Sequence, residues 1–336
     1  MSLQANFEDL KNQQPSIRAR DAANELGVSE AEIVEAQIGE SATRLRPEWK
    51  EILFACRDLG EVMALTRNEA VVLEIDGQFI DLSFDGMIGL GLEPGFDLRI
   101  FLFAWKYGFA VEKDSPRGRM RSLQFFDAAG VAVFKIWLRS ASSVEVYDLI
   151  VEKFGTTNEP PIEVKELDKP ASKGPDDFDQ HEFQKAWREL KDTHDFFPML
   201  RTFKLPRLAA LRCGPEEYVE QVPVRTLQAL LDELTTRDLE IMFFVGSRGM
   251  IEIFTGQIHT TRHSDTWWNV LDKGMNLHIN QTKLKEAWVV QKPTVDGIVT
   301  SLEVFDHDEN LVLSVFGARK PGNPELQGWR DVLSSL

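Results

Sequence analysis

The chain repeats itself. When the first half is moved by 179 positions, a long stretch of it lies on the second half without a gap. Gly77-Gln78 falls on Gly256-Gln257, Gly95 and Leu98 on Gly274 and Leu277, and Val111 and Lys113 on Val290 and Lys292. Gly118 falls on Gly297, Ser122-Leu123 on Ser301-Leu302, and Phe126-Asp127 on Phe305-Asp306. Chance identities scatter over many offsets. These share one, and they coincide with turn glycines and strand interiors, so the chain is a tandem duplication of a strand-rich unit. Two similar units tend to pack about a pseudo-twofold axis, and the cleft between them is the expected place for a ligand.

Within each unit the pattern is one of short alternating runs. AVVLEIDGQFIDLSF, DLRIFLFAWKYGFAVEK and RSLQFFDAAGVAVFKIWLR predict antiparallel strands, with turns at Asp76-Gly77 and Ala129-Gly130. Residues 155–178, with Pro160, Pro161, Pro170 and Pro175, predict a linker. The expected organisation is a first unit over 1–154, the linker over 155–178, and a second unit over 179–336. The fold class is α+β, each unit a large antiparallel β-sheet flanked by helices.

The first forty-odd residues read as helices. AANELGVSEAEI has the form of a helix-turn-helix, with Gly27 at the turn and Ser29 capping the second helix. That form admits a DNA-associated regulator, or simply two short helices packed on the sheet. Charge argues against the first. The net charge is −16, whereas nucleic acids and anionic lipids are bound through basic surfaces. The two cysteines, Cys56 and Cys213, match no zinc spacing and indicate no disulfide framework. The first residues, MSLQANFEDLKNQQPS, lack the form of a signal peptide, and no run approaches the ~18 apolar residues of a spanning helix. A cytoplasmic protein, monomer or dimer, with no membrane insertion is expected.

All six histidines lie in the second half. His307 in DHDEN and His181 at a helix start read as solvated. His259 and His263 are four apart, but QIHTTRHSD is strand or loop, where that spacing does not align two metal ligands. His278 occupies the duplicate position of Arg99. His194 is different: in HEFQKAWRELKDTHDFFPMLRTF, residues Trp187, Leu190, His194, Phe197 and Arg201 are spaced as on one helix face. That spacing puts the imidazole on an aromatic face. Two readings stay open on this evidence: a core histidine bonded to a carbonyl, or an iron ligand whose second nitrogen is held by a helix carbonyl one turn back.

WRELKDTHDFFPMLRTFKLPR, then WWNVLDKGMNLHI followed by EAWVVQKPTVDGIVTSLEVFD, and the closing VFGARKPGNPEL resemble the HemS/ChuS/HmuS family of bacterial haem-utilisation proteins. The resemblance extends to IRARDAANELGVSEAE, LRPEWKEIL and DLRIFLFAWKYGFAVEK in the first half, and so covers nearly the whole chain. It implies a duplicated α+β fold and haem as the cofactor or cargo. It further implies His194 as the iron ligand and Arg99, donated by the first half, as the distal and candidate catalytic residue. Arg207, Lys292 and Arg319 are implied near the haem propionates, with Phe244 as an aromatic near the haem. Where some members have a tyrosine, this chain has Phe316, so any hydrogen bond from that phenol is absent. The first half has no histidine, which argues against a second site of the same kind.

Two activities remain open on the sequence. One is a carrier that accepts haem through an axial histidine, with a haem ABC transporter as donor and a haem oxygenase or reductase as acceptor. The other is an enzyme that opens the porphyrin to release iron. A distal donor such as Arg99 would serve either.

Overall fold

The duplication reaches further back than the sequence offset shows. In the first half the helices Leu3–Gln13, Ala19–Leu26 and Glu30–Glu35 lead into the strand Ala42–Leu45. In the second, Gln180–Arg188, Phe196–Phe203 and Arg207–Arg212 lead into Val219–Val222. Each pair begins 177 positions apart, as Ala19 and Phe196 do. From the strands Val62–Arg67 and Ile241–Gly246 onward the separation becomes 179, because the second half carries two more residues between these points. The computed structural model describes residues 2–116, 118–166, 178–319 and 322–336.

The segment read as a helix-turn-helix is therefore the first copy of the helical layer. Its local expectations hold. Gly27 ends the helix with a left-handed φ of 66°, and Ser29 forms a capping box with Glu32. The DNA reading does not hold, since the helix Glu30–Glu35 buries Glu30, Ala31, Ile33 and Val34 and has no free face for a groove.

The described strands fall into two nine-stranded sheets, and the ladders traced below are antiparallel. In the first unit Ala42–Leu45, Tyr107–Ser115, Gly118–Phe126, Ala132–Leu138 and Val62–Arg67 are neighbours in that order. A single row runs Ala42, Val111, Ser122, Trp137, Met63. The second unit repeats it through Val219, Val290, Ser301, Phe316 and Met242. A bulge after Phe125 recurs after Val304. The three strands Leu82–Asp85, Ile88–Glu93 and Phe96–Phe101 pair in sequence, Leu90 opposite Arg99. Their counterparts Thr261–His263, Trp267–Asp272 and Met275–Asn280 put Asn269 opposite His278.

Alternation explains these strands: Phe96, Leu98 and Ile100 are buried while Asp97, Arg99 and Phe101 are half-exposed. One expected turn is corrected. Gly77 is the last residue of the strand Val71–Gly77 and not a hairpin residue. A Cβ there would come within 2.5 Å of the Phe96 ring, so the glycine serves close packing. The helical layer seals one face of each sheet. In the second half Phe183, Trp187, Phe196, Leu208 and Leu211 form a core with Trp288, Val290 and Phe305, and in the first Ala31 and Val34 pack with Phe109 and Phe126.

The chain divides into two compact units, and each contains a short piece of the other half. One takes in Met1–Arg67, Glu74–Asp168 and Gly246–Glu252; the other takes in Asn68–Leu73, Lys169–Val245 and Ile253–Leu336. The two borrowed segments occupy duplicate positions. Within the first unit the Gly249 carbonyl accepts from the Phe101 N–H at 2.9 Å; within the second, the Ala70 carbonyl accepts from Asn280 at 2.8 Å. Gly249 and Ala70 correspond, as do Phe101 and Asn280.

The stretch read as a linker is docked over its early part. Thr156 N–H donates to the Arg44 carbonyl, Lys165 N–H to Ala128, and Tyr107 Oη to the Glu163 carbonyl. Residues 167–177 lie outside the described residues. No described helix is long and apolar enough to cross a membrane, and Cys56 and Cys213 are both free thiols.

Candidate functional site

The helix expected to run through His194 is broken. One helix ends at Arg188, a single 3-10 turn covers Thr193–Asp195, and a new helix spans Phe196–Phe203. Pro198 supplies the reason. It has no N–H to donate to the His194 carbonyl, so it is stable in a first turn and not in a helix interior. The predicted common face is thereby corrected: Trp187 is fully buried, whereas the His194 side chain is 91% exposed. Of the two environments left open for the imidazole, the core one is excluded.

The loop before the new helix is held at both ends. The Lys191 carbonyl accepts from Val295 N–H at 3.0 Å. Asp192 Oδ1 accepts from the His194 backbone N–H at 2.8 Å and lies 2.6 Å from His194 Nδ1. The backbone bond, then the ring, then the more distant charge of Arg319 hold the Asp192 carboxyl below its ordinary range against a small burial effect. Arg319 Nη1 is 3.2 Å from the Asn323 carbonyl and 3.7 Å from Asp296 Oδ2.

Two residues beyond His194, the Phe196 ring is the floor of a cationic cluster. Lys292 Nζ lies 4.7 Å and the Arg207 guanidinium 5.2 Å from its centroid. Both cations meet Glu303. Arg207 Nε and Nη2 each donate to it at 2.6 Å, Lys292 Nζ at 2.8 Å and Ser301 Oγ at 3.1 Å. Burial would raise the Glu303 carboxyl, but Arg207 and Lys292 together outweigh it and hold it far below the carboxylate range. Burial, opposed by Glu303, draws Lys292 down to about 8. Two cations around one carboxylate leave a positive excess. Arg207 is one-quarter exposed, and its Nη1 has no carboxylate partner among the described residues.

Lys292 also lies 5.8 Å from the Phe316 ring, which meets Phe244 edge-on at 5.1 Å. Arg207, Phe244, Lys292 and Phe316 thus form one continuous group with Phe196. His194 is held by Asp192, whereas Arg319 is paired with Asp296 and the Asn323 carbonyl. Arg99 belongs to the other unit; it is one-third exposed, its Nη1 is 3.2 Å from the Leu98 carbonyl and its Nη2 3.9 Å from Asp97 Oδ2. Sequence reasoning missed Asp192, Phe196 and Glu303. Strand alternation places Glu303 outward, yet the helix starting at Arg207 covers that face. Pro198, just downstream, was the available signal for the loop.

The first copy lacks this chemistry. Ile17 stands where His194 does, Glu30 for Arg207, Gln124 for Glu303, Trp137 for Phe316 and Leu65 for Phe244. Its buried pair is Glu30 with Lys135, 2.5 Å apart.

Comparison with known proteins adds an independent line. A family model described as the haemin-degrading HemS.ChuX domain matches residues 27–154 and again 204–336. The chain is 34% identical over 336 residues to the hemin transport protein HemS of Yersinia enterocolitica, covering 100% of this chain and 97% of the relative. Its structure is similar to holo-PhuS, a heme-binding protein from Pseudomonas aeruginosa, with a TM-score of 0.96, 40% identity, and 99% and 98% of the two chains covered. It is also similar to ChuS, an E. coli heme oxygenase, with a TM-score of 0.90, 32% identity, and 100% and 99% covered.

Proposed function

Because this chain belongs to the haemin-degrading HemS/ChuX family, we propose that it binds haem with His194 as the iron ligand, in the service of bacterial haem utilisation in the cytoplasm. The observation that carries the assignment is an imidazole almost wholly open to solvent, two residues from an aromatic and cationic cluster. The donor set fits the cargo. A porphyrin offers flat apolar faces, for which Phe244 and Phe316 provide edges and rings. Its two propionates need cations, and an acidic protein must concentrate these locally. Arg207 and Arg319 are assigned to the propionates, and buried Lys292 keeps the neighbourhood positive. On the family resemblance, Arg99 would offer the haem a hydrogen-bond donor.

Carriage of haem is the first reading, with a haem ABC transporter as donor and an oxygenase or reductase as acceptor. Degradation is the second, favoured by the likeness to ChuS. In either, this chain's residues bind and orient the macrocycle, and Arg99 supplies a hydrogen-bond donor; the oxidative chemistry itself is the haem's own. The test is a haemin titration of the wild type against His194→Ala. Wild type should develop a shifted Soret band at one equivalent, and the variant should bind weakly or with a different spectrum. An apoprotein that leaves the haemin spectrum unaltered overturns the proposal.

A further inference from the structure

We infer that Asp192 is a positioning residue for His194, fixing the imidazole as the Nδ1–H tautomer so that the Nε2 lone pair faces outward. The geometry is the argument. One oxygen, Oδ1, lies 2.8 Å from the His194 backbone nitrogen and 2.6 Å from its ring Nδ1. A backbone N–H can only donate, so Oδ1 is an acceptor at this place, and the ring nitrogen facing it carries a hydrogen. The other ring nitrogen then has a free pair.

An exposed ion pair is normally worth little, because two long side chains must be ordered to make it. Here little is left to order. The two residues are two apart, Asp192 is clamped by the backbone of the residue it orients, and the Lys191 carbonyl is tied to Val295. The first copy supports the pairing. Pro15 and Ile17 stand at the corresponding places, so orienter and oriented group are both absent where no ligand is offered.

The consequence for iron rests on the haem reading above. A carboxylate that accepts from Nδ1–H makes Nε2 a stronger electron donor and holds the ring plane, which favours the ferric state and slows loss of the metal group. The tautomer does not rest on that reading, which separates the two tests. Nitrogen-15 NMR of the apoprotein under mildly alkaline conditions should show His194 protonated at Nδ1 in wild type and largely at Nε2 in Asp192→Ala. An unchanged tautomer in that variant overturns the inference.

With haemin bound, Asp192→Asn preserves shape and removes the charge. It should raise the ferric/ferrous midpoint, lower the iron–histidine stretching frequency in resonance Raman spectra, and speed haem transfer to apomyoglobin about 10–100-fold. A midpoint, stretch and release rate equal to wild type overturn the electronic part. Failure of wild type to take up haemin at all would remove the haem reading and leave the apoprotein tautomer standing.

Discussion

Glu252 and Leu73 hold duplicate places in the chain, and the difference between them is worth a measurement. Both are fully buried. Among the described residues, neither carboxyl oxygen of Glu252 has a hydrogen-bond partner of good geometry, and neither does the buried Thr66 hydroxyl that tempers it. At the duplicate of Thr66 the chain has Val245, also buried. Burial raises the Glu252 carboxyl well above its ordinary range, and the nearby charge of Glu74 adds to the rise. The folded state therefore holds a proton that the unfolded state releases near 4.5. Stability from this group is complete below that pH and declines as pH rises toward the folded value. Glu252→Leu should be the more stable protein by about 1–3 kcal/mol in mild acid, with the gap widening on the alkaline side in urea titrations. Parallel pH profiles would contradict this.

Glu303 has the opposite sign. Its depressed carboxyl contributes stability above 4.5, and that contribution is lost as pH falls below it. Glu303→Gln leaves Arg207 and Lys292 facing a neutral amide in a dry site, which should cost about 3–5 kcal/mol in denaturant unfolding. A cost below about 1 kcal/mol would show that the two cations find other partners.

Among the elements, the strands were legible and the helices only partly so. Turn glycines such as Gly118 and Gly297, with φ of 109° and 110°, recur at one offset because a hairpin tolerates little else there. The helices must keep only an apolar stripe, so Ile17 can stand for His194 and Glu30 for Arg207. The two-residue change in spacing hides what similarity is left. For the site, motif resemblance pointed to His194, Arg207, Lys292 and Arg319, but not to the loop that presents the imidazole. A helical spacing of 3 and 4 is equally compatible with a break, and only Pro198 marks one. The helix Glu30–Glu35 gives a check on the reassignment of the first helices. Ser29→Ala removes its capping box and should lower stability by about 1 kcal/mol, while haemin titrations stay as in wild type. A gel shift with DNA at low salt would instead point to a DNA-binding role for these helices.

At the level of the whole molecule, duplication has produced two units of nearly the same architecture and unequal content. The second holds the imidazole, the cations and the paired phenylalanines. The first holds Arg99, beside the exposed strand residues Ile88, Leu90 and Leu92. The counterparts of Leu90 and Arg99 are Asn269 and His278, joined across the strands at 2.7 Å. The two copies thus differ in these side chains while keeping the same strand pairing.

Residues 246–252 and 68–73 give the molecule a thermodynamic property that side-by-side domains lack. If either half melted, it would carry away a segment whose Gly249 or Ala70 carbonyl completes the other half's hydrogen bonding. Calorimetry should therefore record one endotherm for all 336 residues, with van't Hoff and calorimetric enthalpies in agreement. Two resolved peaks would mean that the traded strands are dispensable.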